Sequence, residues 1–178
     1  NVLTPGEYRR RITGLAKSCG MKFEYWDTQD LKKKNAGAFL AVVRADPDTA
    51  SGIAHLTLPA KTKKPRKKVA LVGKGLCFDT GGYNVKTGDH MSGMHRDMTG
   101  SAVALATACL LAELRPDLEV HTYLALAENL ISPTAYKPDE VVVASNGISI
   151  EVINTDAEGR MVLSDTLALA SQTAPDVM

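Results

Sequence analysis

The stretch 154–165, NTDAEGRMVLSD, sets Asp156, Glu158 and Arg160 at alternate positions and runs straight into Met161, Val162, Leu163, Leu167 and Leu169. On an extended backbone alternate side chains share a face. Two carboxylates and a guanidinium would then crowd one side of a strand end or loop just ahead of a helix. Gly159 would allow a backbone turn there that other residues resist. Two chemistries suit the pattern. One is a helix start, with Asp156 or Thr155 as N-cap and Glu158 at the positive end of the macrodipole. It leaves Arg160 at the helix end that repels cations. The other is an ion site, in which the acids hold cations and Arg160 holds an anion.

A second group of chemically capable residues lies upstream: Lys74 in VGKG, Asp79 in FDTGG, Lys86, and Asp97 in HRDM. Asp79, Asp97, Asp156 and Glu158 gathered in one cavity would repel one another unless cations were present. Two divalent ions would balance them, +4 against −4. Oxygen ligands without thiolate suit Mg²⁺ or Mn²⁺, and Zn²⁺ accepts them too. Taken singly, each acid reads equally as a surface charge or a cap. Gly81-Gly82 invites a phosphate-loop reading, which the lack of GxxxxGK[ST] argues against. His90 and His95 flank the acidic loop at a separation that fits no standard ligand pair, so a solvent-facing or supporting role is expected; His55 and His121 are further candidates. Cys77, beside Asp79, has no obvious base and reads as packing.

Elements must bring these segments together. Thr4-Pro5-Gly6-Glu7 is a capping box with proline at the first helical position, and Tyr8, Ile12, Leu15, Ala16 and Cys19 continue it at helical spacing. Gly20 should end that helix, and Lys22–Trp26 alternates as a strand. A brief charged helix is expected over 28–35. Residues 36–45 are ambiguous between helix and strand, 46–51 form a turn region, and Ile53–Leu58 reads as a strand. Lys61 to Lys68 carries six cations in eight residues. A localisation signal or phosphate-binding patch fits that run, but a solvated hairpin loop suits its proline and its lack of aromatics better. Val69–Val72 reads as a strand buried on both faces. The Gly-rich span 74–97 is too long for a plain turn and favours a functional loop. Met98 to Leu114 is apolar nearly all round, as a buried helix would be. Strands are expected at 119–127, 141–144 and 148–153, the last two around an Asn146-Gly147 turn, and a final helix at 158–172. This alternation predicts a three-layer αβα domain with a mixed central sheet and chemistry at strand ends.

The charged motifs also carry a resemblance. VGKGLCFDTGG, the Lys86 segment, HRDMTGSA and NTDAEGRMVLSD together resemble the leucyl aminopeptidase family, the cytosolic di-metal M17 peptidases, with matching spacing through both blocks. The resemblance implies that Asp79 and Glu158 bridge two metal ions, that Lys74 and Asp97 complete the tighter site and Asp156 the exchangeable one. It implies that Lys86 and Arg160 are the catalytic pair, Lys86 on the oxyanion and Arg160 on a bicarbonate-like anion acting as general base. Lys74 would have to lose its proton to ligate, which burial beside two dications can cause. The expected reaction is hydrolysis of the N-terminal residue from peptides by a water or hydroxide activated by the metals. Mn²⁺ or Zn²⁺ is expected, with Mg²⁺ an alternative.

The family further implies a homohexamer, a cytoplasmic location, a separate N-terminal domain and a catalytic domain continuing past Met178. Residues 1–178 are therefore expected to be an incomplete catalytic domain. Alternatives are a truncated, non-catalytic assembly subunit or a nucleic-acid-binding role through Lys61 to Lys68. Two positions depart from the family pattern: Thr99-Gly100 stands where Gly-Gly is usual, and Tyr83 where a smaller aliphatic is common. Both bear on substrate preference rather than on the charged set.

Composition is compatible with this reading and narrows it little. The chain's 178 residues suffice for one domain with a full core. Its 44% hydrophobic and 23% charged content is ordinary for a globular chain. A net charge of +1 gives no electrostatic footprint for nucleic acid, so that partner is not expected. Cys19, Cys77 and Cys109 lack metal-type spacing and suit a reducing compartment. No apolar run is expected to reach the ~20 residues of a membrane span, and no signal-peptide pattern opens the chain.

Overall fold

Thr4 starts the first helix as expected: its hydroxyl accepts from the Glu7 amide, and α1 runs Pro5–Ser18. In the computed structural model, which describes residues 2–46, 50–63, 65–114 and 117–178, the other elements follow in order. They are β1 (Lys22–Asp27), α2 (Thr28–Lys33), α3 (Gly37–Val42), β2 (Gly52–Leu58), β3 (Lys67–Asp79), α4 (Thr99–Leu114), β4 (Leu118–Asn129), the hairpin of β5 (Val141–Val143) and β6 (Ser149–Glu151), and α5 (Glu158–Ser171). The ambiguous 36–45 stretch resolves as α3 and a 3-10 turn at Val43–Ala45. Part of the expected turn region, 47–49, lies outside the described residues.

The main sheet has the order β1-β2-β4-β3. β2 is antiparallel to both β1 and β4, and β3 is parallel to β4, so the sheet is mixed. Alternation along β4 sorts the core onto two faces. Tyr123, Ala125 and Ala127 pack with Phe39, Val42, Val162 and Leu169 of α3 and α5. Leu124 and Leu126 pack with Ile12, Ala16, Leu105 and Ala108 of α1 and α4. The result is the expected three-layer α/β arrangement.

Three expectations need correction. Lys61 to Lys68 is not a hairpin loop: β4 lies between β2 and β3, so the segment crosses over instead of returning beside its own strand. Lys64 lies outside the described residues, whereas Lys68 is already in β3 and pairs with Glu119 at 3.4 Å. The strand read at Val69–Val72 is longer, because β3 continues through the glycines to Asp79 and carries Lys74 with it. And α4 is not buried all round. Ser101, Ala104, Leu105, Ala108 and Ala112 face inward, while Val103, Leu110 and Leu114 are exposed.

Gly88–Leu114 is long enough to cross a membrane, and its most apolar 18-residue window has a mean hydropathy of 1.3, so by length and composition alone it could span one. Only Thr99–Leu114 of it is α-helix, 16 residues. At ~1.5 Å per residue that is about 24 Å, against a hydrocarbon core of about 30 Å, and its inner face packs on the sheet.

One buried carboxylate joins three elements. Asp165 of α5, fully buried, accepts from the Phe39 amide at the start of α3 (2.8 Å) and from the Ser145 amide after β5 (2.6 Å). Hydrogen bonds to charged groups contribute roughly 1.5–3 kcal/mol each, and both donors are left unsatisfied by truncation. Asp165→Ala should therefore lower unfolding free energy by about 3 kcal/mol or more, read as a drop in the urea midpoint at unchanged m-value.

Candidate functional site

The site is built where β3 and β4 end. Lys74 and Asp79 are five positions apart on one strand, which would put them on opposite faces of a regular sheet. A β-bulge between Leu76 and Phe78 resets the phase: Lys74 pairs with Ala125, Leu76 with Ala127, and Asp79 with Asn129. Ala125, Ala127 and Asn129 share a face of β4, so the bulge brings Lys74 and Asp79 to that same face. Beyond Asp79 the chain turns through Gly81 and Gly82, whose φ values of 87° and 67° are ones that side chains disfavour. Any Cβ at Gly81 would also meet the Asn84 carbonyl. This turn leads to Lys86, and a further 3-10 turn at Met94–Arg96 brings in Asp97 ahead of α4.

The third contribution comes from 154–160, though not on an extended backbone. Thr155–Ala157 forms a 3-10 turn that enters α5 at Glu158. Neither Thr155 nor Asp156 is the cap: the Asn154 side chain accepts from the Asp156 amide at 2.8 Å. Gly159 is helical, and its role is close approach. A Cβ there would stand 2.7 Å from Lys74 Cε and 2.8 Å from Nζ.

These segments converge as two interlocked ion-pair groups. Lys74 Nζ lies 2.8 Å from Asp97 Oδ1, 2.7 Å from Asp97 Oδ2 and 2.8 Å from Glu158 Oε1. Lys86 Nζ lies 2.8 Å from Asp79 Oδ2 and 2.5 Å from Asp156 Oδ1. Oxygens of Asp79, Asp156 and Glu158 all come within 4.8 Å of one another. Arg160 is exposed and shares an open cavity of about 250 Å³ with Lys74, Asp156 and Glu158. All seven charged residues singled out in the sequence therefore meet.

Uncharged residues hold the carboxylates in place: Asn84, Asn129 and Tyr136, which the sequence reading did not single out, and Thr155, which it offered only as an N-cap. Asp79 Oδ1 accepts from the Gly81 amide at 2.9 Å and from Asn129 Nδ2 at 2.8 Å. Asn129 Nδ2 also reaches the Thr155 carbonyl at 3.1 Å, which accepts from the Tyr136 hydroxyl at 2.6 Å. Thr155 is fully buried; its hydroxyl donates to the Gly81 carbonyl at 2.6 Å, and its amide to Asn84 Oδ1 at 2.8 Å. The available signal was Asn129, which with Glu128 closes the apolar run 123–127 at the carboxyl edge of a parallel pair.

The histidines stay outside this cluster. His90 and His95 are exposed, although His90 shares a cavity with Lys86 and Asp156. His55 and His121 are bonded to each other at 2.9 Å inside the sheet, and burial holds His55 below the usual imidazole range. His121 is eight positions before Asn129 on β4, about 26 Å at strand rise. Cys77 is fully buried in the core, its thiol pushed up to about 12 by burial. The Thr99 hydroxyl donates to the Arg96 carbonyl (2.6 Å) and the Tyr83 hydroxyl to the Ser132 carbonyl (3.0 Å), so neither hydrogen-bonds the charged cluster.

The electrostatics show surplus negative charge. Burial raises the Glu158 carboxyl, against the pull of Lys74 and with the push of Asp79. Burial also raises Asp97. For Lys74 burial pulls downward, but Asp97 and Glu158 outweigh it and the ammonium is held above its ordinary range. Lys86 moves the same way between Asp156 and Asp79. Glu158 is 2% exposed, yet its Oε2 has no hydrogen-bond partner among the described residues. A buried carboxylate oxygen left over from two ammoniums, beside two further acids, is a donor set that fits hard divalent cations.

A mixed α/β domain with a carboxylate-lined site at the ends of its parallel strands is the class that fold and geometry define. The chain belongs to the cytosol aminopeptidase family: the description of that family's catalytic domain matches residues 1–178. Among curated relatives, each named probable cytosol aminopeptidase, the Persephonella marina protein is 39% identical and the Sulfurihydrogenibium sp. protein 41%, both over the whole of this chain. The protein of Prochlorococcus marinus subsp. pastoris is 43% identical over 99% of it. The chain spans about 35% of the length of the first two relatives.

Two outcomes follow from the charge surplus. Because the folded-state pKa of Glu158 is raised above its unfolded value of 4.5, its contribution is fully present below that pH and is lost as pH rises through the raised value. In protein stripped with chelator, Glu158→Gln should therefore raise Tm at pH 7 and flatten the decline in Tm above pH 4.5. Gly159→Ala should keep the fold, since alanine is favoured over glycine in a helix by about 1 kcal/mol and the obstructing atoms end a flexible side chain. It should displace Lys74, seen as a loss of at least half of any rise in Tm that Mn²⁺ gives the parent.

Proposed function

We propose that this chain is the metal-holding part of an aminopeptidase that releases the N-terminal residue from peptides. The carrying observation is the convergence of Lys74, Asp79, Lys86, Asp97, Asp156, Glu158 and Arg160, with Glu158 Oε2 buried and unpartnered among the described residues. Asp79, Asp97, Asp156, Glu158 and a deprotonated Lys74 would hold two divalent ions, Mn²⁺ or Zn²⁺, with Mg²⁺ the alternative. Such ions act as Lewis acids on a carbonyl oxygen and lower the pKa of a bound water.

The chain's own residues divide the remaining work. The Lys86 ammonium donates to the carbonyl oxygen as negative charge develops on it. Arg160, on the open cavity, would hold a bicarbonate-sized anion, which would supply a general base there. Asn129, Thr155 and Tyr136 keep the acids fixed, so little reorganisation is needed during the reaction. A substrate with an unblocked α-amine suits a site whose walls are carboxylates.

The same reading makes residues 1–178 one part of a longer catalytic domain that follows a separate N-terminal domain, supported by the share of the relatives that is matched. It also takes the whole protein as a cytoplasmic homohexamer; the relatives' shared name supports the location.

The test is metal-dependent release of leucine from leucine amide by the full-length protein. Activity should disappear with chelator, return with Mn²⁺ or Zn²⁺, and be absent on N-acetyl-leucine amide. Lys86→Ala should lower kcat by about 10²–10³-fold, the size of a lost transition-state donor, and Asp156→Ala should raise the metal concentration needed. Undiminished turnover in chelator, or equal cleavage of the blocked substrate, would overturn the proposal.

A further inference from the structure

The layer on the far side of the sheet from α5 holds a second chemically capable pair. Cys19 caps the C-terminal end of α1, with its amide bonded to the Leu15 carbonyl at 2.9 Å. Cys109 lies in the third turn of α4, ninety positions later. Both are free, half-buried, and packed against the core cluster of α1 and α4 that contains Ile12, Ala16, Ala108 and Ala112. They line one open cavity of about 480 Å³ together with Lys17, Ala112 and Glu113, and Cys19 is near enough to help raise the Cys109 thiol. Two half-buried thiols from separate segments that open onto one cavity place both sulfurs within reach of the same small co-reactant.

We propose that Cys19 and Cys109 form a thiol–disulfide exchange site, whose co-reactant is a small-molecule disulfide entering this cavity and whose product is a bond tying α1 to α4. The Cys19 thiolate attacks one sulfur of the small disulfide, giving a mixed disulfide at Cys19 and releasing one small thiolate. Cys109 then loses its proton to solvent and attacks the Cys19 sulfur, releasing the second small thiolate. Two protein thiols are oxidised and one small disulfide is reduced to two thiols, so electrons and protons balance.

The direction of attack follows from the local environment. Burial, reinforced by the neighbouring Cys19, pushes the Cys109 thiol up to about 11, which makes Cys109 the slower attacker. Lys17 brings a cation to the Cys19 side of the cavity. The two small thiols leave through the open face, and the ninety-residue span makes the closed form a strong restraint on the unfolded chain. Cys77 takes no part, being fully buried with its thiol raised by burial.

The experiment exposes the folded protein to oxidised glutathione, then maps peptides without reduction. The expected result is a Cys19–Cys109 cross-linked peptide about 2 Da lighter than the free pair, both residues resistant to iodoacetamide, and Cys77 unmodified. Cys109→Ser should instead retain one glutathione on Cys19, while Cys19→Ser should yield no cross-link. The oxidised parent should melt about 5 °C higher than the reduced protein. A folded parent that gives only intermolecular or Cys77-containing disulfides, or a cross-linked protein that melts lower, would overturn the proposal.

Discussion

Four carboxylates held together at the end of a sheet are the constraint on which the rest of this structure depends. Two ammoniums answer them, each shared by two acids: Lys74 between Asp97 and Glu158, Lys86 between Asp79 and Asp156. Each acid is drawn from a different element or loop, so charge compensation also ties the ends of β3, the loop after it and the entry to α5 into one unit. The balance is incomplete. Two positive charges face four negative ones, Glu158 Oε2 lacks a partner among the described residues, and burial holds Glu158 and Asp97 toward their protonated forms. Such a cluster costs stability unless further cations join it, and a fold keeps an arrangement of that kind for binding more readily than for cohesion.

Holding like charges together requires a scaffold that does not relax away from them. The bulge at Leu76–Phe78 supplies the geometry, because it turns a five-residue spacing into a shared face. Thr155 supplies much of the rigidity. It is buried and bonded through its amide, hydroxyl and carbonyl to Asn84, Gly81, Asn129 and Tyr136, so the Asp79 turn and the Asp156 turn cannot shift independently. Behind them, Asp165 fastens the next turns of α5 to α3 and to the segment after β5. The helix that carries Glu158 is therefore pinned along its first half.

Much of this was legible in the sequence because it is local. The helix start at Thr4, the Asn146-Gly147 turn and the helical run after Glu158 each state their structure within a few residues, and all three form; of the expected capping box only the Thr4 half does, since the Glu7 carboxylate accepts from Arg10 and Arg11. The seven charged residues were legible by type and by motif. What was not legible is what depends on partners distant in the chain. The bulge has no marker of its own in VGKGLCFDTGG, since the phase is set by pairing with β4. Gly159 looked like a turn residue, but its lack of a side chain matters because Lys74 of β3 passes over it. The crossover after β2 read as a hairpin because adjacency in sequence gives no notice that β4 will be inserted between neighbours. The apolar run of α4 likewise conceals which of its faces meets the sheet.

The choice of lysine at position 74 follows from the same electrostatics. An arginine would answer Asp97 and Glu158 with two forks of hydrogen bonds, and as a fixed cation it would satisfy the acids permanently. A lysine is a point charge that can also exist as a neutral amine. With no further cation present, the surplus of negative charge raises its pKa and keeps it as a counter-ion. In the proposed metal-holding state the sign of the local field is reversed, and the same nitrogen can give up its proton and offer a lone pair. The side chain then needs room to change partners without moving the backbone. Gly159 gives part of that room, leaving space for the Lys74 stem where any Cβ would close it. A reversible charge at 74 and an absent side chain at 159 are thus two halves of one requirement, set by acids that neither residue carries.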